Sequence, residues 1–241
     1  RSTLFPYTTL FRSPYSVTVD VPLLGRRLRD RRNRFTVPLR PTARLVLDML
    51  RCPRWTAQIL HHGIPRMQNF VDSNRATSIA SLAHLMTSNL DASATWEVLA
   101  KMRDEWDAKL VVKGVLHPED AERAARLGVN AIAVSNHGGR QLDGAISPIR
   151  ALPQIVAATG GRAEIYLDGG IRRGSDIAKA CALGATAVMS GRALLYGLGA
   201  AGPSGAERGF EIFAEEFDRC LALIGCPVTT QLDSSWVASV E

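Results

Sequence analysis

The strongest constraint on this chain is a repeat of short β-branched runs, each too short for a helix and each ending in polar or glycine residues. They are Tyr15 to Asp20, Leu110 to Gly114, Ala131 to Asn136, Glu164 to Gly169 and Ala187 to Gly191. Between them lie amphipathic stretches with helix punctuation. Pro118-Glu119-Asp120 opens one that stops at Gly128, and Ser175-Asp176 opens another that stops at Gly184. Measured between run centres, Val112 to Val134 is 22 residues, Val134 to Leu167 is 33, and Leu167 to Met189 is 22. That is the spacing of βα units. Near-continuous apolar strands covered by helices predict a parallel sheet buried on both faces.

Polar residues gather at the C-terminal end of every run: Asp20, Lys113, Ser135 with Asn136 and His137, Asp168, and Ser190 with Arg192. A (β/α)8 barrel collects functional groups from many strands at that rim, whereas a doubly wound sheet uses one crevice, so the barrel is favoured. Closure takes eight strands, five are visible, and residues 43–90 hold no convincing strand. The expected fold class is α/β, a (β/α)8 TIM barrel that is incomplete, with about five of eight strands. Residues 1–13 carry Thr-Leu-Phe at 3–5 and again at 9–11 without helical or strand periodicity. They read as a translated adapter or disordered tail outside the fold, which then occupies 14–241.

Composition narrows the function classes. With 46% apolar and 22% charged residues and no 18-residue uncharged apolar stretch, the 241 residues read as a globular chain expected in the cytoplasm. Cys52, Cys181, Cys220 and Cys226 form no C-x-x-C pair and have no His at zinc spacing; they read as ordinary buried thiols, with no metal expected. The net charge of +6 is local: Arg26, Arg27, Arg29, Arg31, Arg32 and Arg34 with Asp30 account for +5 of it. This run lacks interleaved aromatics, so no nucleic-acid partner is expected; it suits a solvated loop or an anionic substrate. Gly197-x-Gly199-x-x-Gly202 follows a helix-like Ala193-Leu-Leu-Tyr stretch, and a dinucleotide fingerprint has to follow a strand. It is a decoy.

Taken together, the motifs resemble one family. Ser135-Asn-His-Gly-Gly-Arg-Gln-Leu-Asp143, preceded by Val111-Val-Lys-Gly114 and followed by Asp168-Gly-Gly-Ile-Arg-Arg-Gly174 and Ser190-Gly-Arg192, is similar to the FMN-dependent 2-hydroxy acid dehydrogenases and oxidases. Thr18-Val-Asp-Val-Pro22 and Leu24-Gly-Arg-Arg27 fit the same family, over roughly residues 15 to 236. Within it, Cys52-Pro-Arg-Trp55, Ala145-Ile-Ser-Pro148 and Ile224-Gly-Cys-Pro227 look most like the mandelate dehydrogenases.

The resemblance implies an FMN cofactor and a small 2-hydroxy acid substrate, aromatic such as (S)-mandelate, oxidised to the 2-oxo acid. L-lactate dehydrogenase or glycolate-type oxidase chemistry is the alternative, with a quinone or dioxygen as electron acceptor. His137, in a Gly-flanked loop past a strand, would be the general base. Asp20 would be its carboxylate partner; without the motif it would be a cap on the following turn. Arg27 and Arg140 would grip the substrate carboxylate through bidentate hydrogen bonds. Lys113 matches the cation near flavin N1, although a rim salt bridge would equally explain it. Thr18 and Ser135 match hydrogen-bonding partners of the flavin ring, or could simply satisfy strand-end backbone groups. Asp168, Gly169, Gly170, Arg172, Gly191 and Arg192 would serve the phosphate end.

Residues 43–90 fit the family's long excursion. Leu45, Val46, Leu47, Met49 and Leu50 beside Arg44, Arg51, Arg54 and Trp55 could form an interfacial helix on the inner face of the cell membrane, or a lid or subunit contact. The family departure lies at the N-terminus, where Tyr15 and Tyr166 do not match its active-site tyrosines. The expectation is therefore a truncated, weakly folded and inactive piece of an enzyme that is a homo-oligomer at full length, since an open sheet leaves backbone edges uncovered.

Overall fold

The computed structural model describes residues 15–23, 25, 28–33, 42–63 and 94–238. Residues 1–14, Arg26, Arg27 and Arg34 lie outside the described residues, as does all of 64–93. The chain divides into two compact units, one of Arg1–Val21 with Ala94–Glu241 and one of Pro22–Ser93.

The larger unit carries a five-stranded parallel sheet: β1 (Tyr15–Thr18), β2 (Leu110–Val115), β3 (Ala131–Ser135), β4 (Glu164–Asp168) and β5 (Ala187–Met189). All five expected strands are present, with ends within one or two residues of those expected. Their order in the sheet is their order in the chain. A doubly wound sheet reverses direction partway, so this single winding is that of a (β/α)8 barrel. Among the described residues β1 and β5 do not pair, leaving the barrel an open arc.

Helices follow the punctuation. Pro118 starts α5 (Pro118–Arg126), with Glu119 and Asp120 in its first turn, and Ala121, Ala124 and Ala125 form its buried stripe. α6 (Pro148–Thr159) closes on Gly160 in a left-handed conformation. At the start of α7 (Gly174–Ala182) the Asp176 carboxylate accepts from the backbone N–H groups of Arg172 (3.0 Å) and Arg173 (3.1 Å). α4 (Trp96–Glu105), α8 (Arg192–Ala201) and α9 (Pro203–Ile224) complete the layer. The glycine decoy lies inside α8 and at its end, and its first glycine has a packing role. A Cβ at Gly197 would stand 2.2 Å from the Gly205 carbonyl oxygen, so α8 and α9 cross with their backbones in contact.

Strand alternation sorts the side chains. Val112, Ile132, Val134, Ile165 and Leu167 point toward the helices and meet Ala121, Leu152, Ile155, Ile177 and Phe217 in one core. Val111, Ala131, Ala133 and Tyr166 form a second, smaller cluster on the other face. Period two therefore puts Thr18, Lys113, Ser135 and Asp168 on that second face, at its C-terminal edge. Register aligns Thr18 with Lys113 and Ser135 with Asp168.

The smaller unit contains α1 (Leu28–Arg32), α2 (Ala43–Arg51) and α3 (Pro53–His62). The Thr42 hydroxyl caps α2 by accepting from Leu45 N–H at 3.2 Å. Thr56 Oγ1 donates to the Met49 carbonyl at 2.7 Å and ties α3 to α2. Cys52 corrects the expectation of buried thiols. It sits at the junction of the two helices and is exposed, whereas Cys226 is buried and Cys181 and Cys220 are intermediate; all four are free. No described helix is long and apolar enough to cross a membrane.

Candidate active site

The C-terminal edge of the sheet brings together residues from four strand ends. Lys113 leaves β2 on the inner face, and its ammonium lies 2.6 Å from Asp168 Oδ2 at the end of β4. Both side chains are under one-fifth exposed, so the pair is screened far less than a surface bridge. The rim salt bridge anticipated as an alternative for Lys113 thus exists, with Asp168 as its anion. Asp168 accordingly faces Lys113 on the inner face of the sheet.

Ser135 joins this pair to the turn that carries His137. It is fully buried. Its hydroxyl donates to Asp168 Oδ2 (2.7 Å) and accepts from Lys113 Nζ (3.1 Å) and from His137 N–H (3.0 Å). One donor and two lone pairs are the full capacity of a hydroxyl. Ser135 is therefore a hub between β2, β3 and β4, and it also satisfies a strand-end backbone group.

His137 follows in a 3-10 turn, His137–Gly139. Its Nδ1 lies 3.3 Å from Asp20 Oδ1. An ionised carboxylate only accepts, so Nδ1 is the donor in this pairing, and in the neutral ring Nε2 then carries the lone pair. Asp20 Oδ2 is buried and has no hydrogen-bond partner among the described residues. A buried acceptor left without a protein donor is costly and leaves that oxygen available to a further donor.

Two neighbours of this pair, though present in the motifs, have no role assigned by the sequence pattern. Gly114, with φ +107°, sits where the β2–β3 register shifts, and a Cβ there would stand 2.6 Å from Asp20 Cγ. A glycine inside a strand pattern is the available signal for such a close approach. Asn136 Oδ1 accepts from Gly139 N–H at 3.2 Å and closes the turn around His137.

The remaining expected residues are placed as follows. Arg140, three residues past His137, is exposed and makes no ion pair among the described residues. Its expected partner Arg27 lies outside the described residues. Thr18 is exposed at the edge strand. Gly169 and Gly170 take positive φ ahead of α7, with the Arg172 side chain exposed beside them. Gly191 precedes α8, and Arg192 donates to the Gly138 carbonyl at 2.8 Å. A cleft of about 460 Å3 opens at the opposite end of the strands, lined by Asn130, Arg162, Glu164 and Thr186 among others. It is remote from this chemistry, and parallel barrels place their sites at the C-terminal end.

The donor set suits a flavin mononucleotide. A fixed cation and hydroxyls on the inner face fit a ring that gains negative charge, and glycine N–H groups with exposed guanidiniums fit a phosphate.

The sequence profile of the FMN-dependent dehydrogenases matches residues 13–239. The chain is 47% identical over 231 residues to (S)-mandelate dehydrogenase of Pseudomonas putida, covering 96% of this chain and 57% of that protein. It is 40% identical over 221 residues to an L-lactate oxidase of Nostoc sp., covering 92% and 55%. Among solved structures, the monotopic membrane protein (S)-mandelate dehydrogenase superposes with a TM-score of 0.90 at 46% identity, covering 95% of this chain and 60% of that one. The chain spans little more than half the length of these relatives.

Proposed function

The chain belongs to the FMN-dependent dehydrogenase family, and from that premise we propose that it carries the base-bearing part of an enzyme oxidising an (S)-2-hydroxy acid, of the mandelate kind, to the 2-oxo acid. The observation that carries the reading is the His137–Asp20 pair beside the Lys113–Asp168 pair at one end of a parallel sheet. FMN, when bound, supplies the two-electron acceptor. His137 Nε2 removes a proton from the substrate, and Asp20 holds the ring and stabilises the imidazolium that results. Arg140, with Arg27, grips the substrate carboxylate in a planar fork. Lys113 holds positive charge where negative charge develops, with Ser135 and Asp168 fixing its ammonium. Thr18 serves the ring; Gly169, Gly170, Arg172, Gly191 and Arg192 serve the phosphate.

The test is anaerobic flavin bleaching by (S)-mandelate in the flavin-loaded chain, with L-lactate and glycolate as competitors. His137→Gln should retain flavin and lose bleaching by at least a hundredfold, in line with the usual share of a general base. Equal bleaching in the variant refutes the assignment of the base. A quinone analogue against dioxygen as oxidant separates dehydrogenase from oxidase. Flavin retention without any bleaching would favour a second reading, a flavin-binding piece without turnover, which the open five-strand arc supports.

The same reading makes the smaller unit a peripheral membrane contact. Its support is α2, where Val46, Leu47 and Leu50 are half or more exposed between Arg44 and Arg51. Leu47→Glu with Leu50→Glu should abolish flotation with anionic vesicles, and unchanged flotation rejects the contact. Homo-oligomeric assembly is part of the proposal, supported by exposed Leu195, Tyr196 and Leu223 on α8 and α9, and light scattering reads it directly.

A further inference from the structure

The turn after β3 uses backbone that side-chain-bearing residues rarely adopt. His137, Gly138 and Gly139 follow one another in left-handed conformations, with φ of 56°, 66° and 69°, and His137 is the one non-glycine residue with positive φ among the described residues. A Cβ in that region crowds the following carbonyl, so the conformation persists only where surrounding contacts enforce it. Most of those contacts are local: His137 N–H to Ser135 Oγ, and Gly139 N–H to the Asn136 carbonyl and side chain. They lie within residues 135–139, and it is Ser135, held in turn by Lys113 and Asp168, that links them to the neighbouring strands.

Beyond the Ser135 link and a bond from Asn136 Nδ2 to the Ile146 carbonyl at 3.4 Å, two contacts reach His137 and Gly138 themselves from other strand ends. Asp20 meets the His137 ring, and Arg192, the first residue of α8, donates to the Gly138 carbonyl at 2.8 Å. The seat for that guanidinium is the missing side chain of Gly138, where a Cβ would stand 2.7 Å from its terminal nitrogen. Arg192 forms no ion pair among the described residues. Its cation is thus directed at a peptide carbonyl one residue past the base, across from the end of β5 to the end of β3. One of its five N–H donors is used there, and the others remain for an anion.

We infer that Arg192 is a positioning residue for His137: by holding the Gly138 carbonyl it fixes the left-handed turn that presents the imidazole to Asp20. This deepens the reading of His137 as the base, and the contact itself needs no bound flavin. It acts through the backbone and touches no reacting atom.

The experiment is run on the full 241-residue chain without added flavin, comparing Arg192→Met with the parent and with Lys179→Met, an exposed change on α7. Amide hydrogen exchange at His137 and Gly139 and the imidazole 15N shifts of His137 are read together. The expected result is exchange faster by about tenfold, the order set by losing one charge-assisted hydrogen bond, with His137 nitrogens moving toward the averaged shifts of an unheld ring. Lys179→Met should change neither. Unchanged exchange and unchanged shifts in Arg192→Met overturn the inference. So does faster exchange with unaltered ring shifts, because Arg192 would then steady the turn without positioning the base. If Arg192→Met loosens the whole sheet, Arg192→Gln, which keeps a planar N–H donor, is read by the same two criteria. Because neither measurement involves substrate, a failure of the proposed reaction and a failure of this inference are separate results.

Discussion

Gly114→Ala tests whether the Asp20 carboxylate is seated by the absence of a side chain. An added Cβ would stand 2.6 Å from Asp20 Cγ, 2.7 Å from its Cβ and 2.8 Å from its Oδ1, well inside ordinary contact. Asp20 has little room to retreat. Its side chain is 13% exposed, and the residue before it is fastened by Val19 N–H to the Lys113 carbonyl at 2.9 Å. Two costs combine: about 1–3 kcal/mol for placing alanine at φ +107°, and about 1–3 kcal/mol for overpacking against the carboxylate. A double-mutant cycle with Asp20→Gly separates them, since removing the whole side chain clears the overpacking and leaves the backbone strain. The double variant should be more stable than the two single changes predict by about 1–3 kcal/mol. Urea unfolding of the four proteins, with m-values compared, gives the numbers. Additivity within about 0.5 kcal/mol would mean that Gly114 is present for its backbone angle alone, and the seating argument would fall.

Ser135→Ala should cost about 1–3 kcal/mol in the same assay, because it strips one partner each from Lys113, Asp168 and the His137 N–H in a fully buried place; a loss under about 0.5 kcal/mol would contradict the hub. Ile132→Ala, at a fully buried position on β3, should cost about 2–5 kcal/mol, and a smaller effect would show that this core is not close-packed. Burial pushes the Cys181 thiol above its ordinary range. Its contribution to stability is therefore complete below the ordinary thiol range and is lost as pH rises through and beyond it, since the unfolded chain releases that proton first. Iodoacetamide at pH 8, followed by mass spectrometry, should label exposed Cys52 well before Cys181, and the reverse order would refute the burial argument.

Much of the fold was legible because its signals are local. β-branched runs located all five strands, proline and glycine punctuation located the helices that begin near Pro118 and Ser175, and the polar run ends put Lys113, Ser135 and Asp168 at the C-terminal edge. The His137–Asp20 pairing followed from the family motif and from strand-end position. What escaped depends on how separate strands approach in space. Gly114 is a plain strand glycine until Asp20, from the end of the neighbouring β1, lies over it. Asp168 read as part of a phosphate-binding glycine turn, yet its side chain faces Lys113, because alternation along β4 aims it inward. Arg192 reaches Gly138 across β4, a distance that no spacing in the sequence encodes. Cys52 looked like a core thiol by residue type, but its place between two helices with no buried residues leaves it in solvent.

The strand order carries a consequence for how the catalytic pair comes into being. β2 to β5 are joined by short crossovers, whereas β1 is separated from β2 by residues 19–109. Closing that loop is the costliest step in ordering the sheet, and β1 is also an edge strand with mostly exposed side chains. The carboxylate that orients the histidine therefore rides on the last strand to dock and the first to detach. Gentle warming should part the two side chains while the other four strands still hold, so that loss of the His137–Asp20 contact precedes melting.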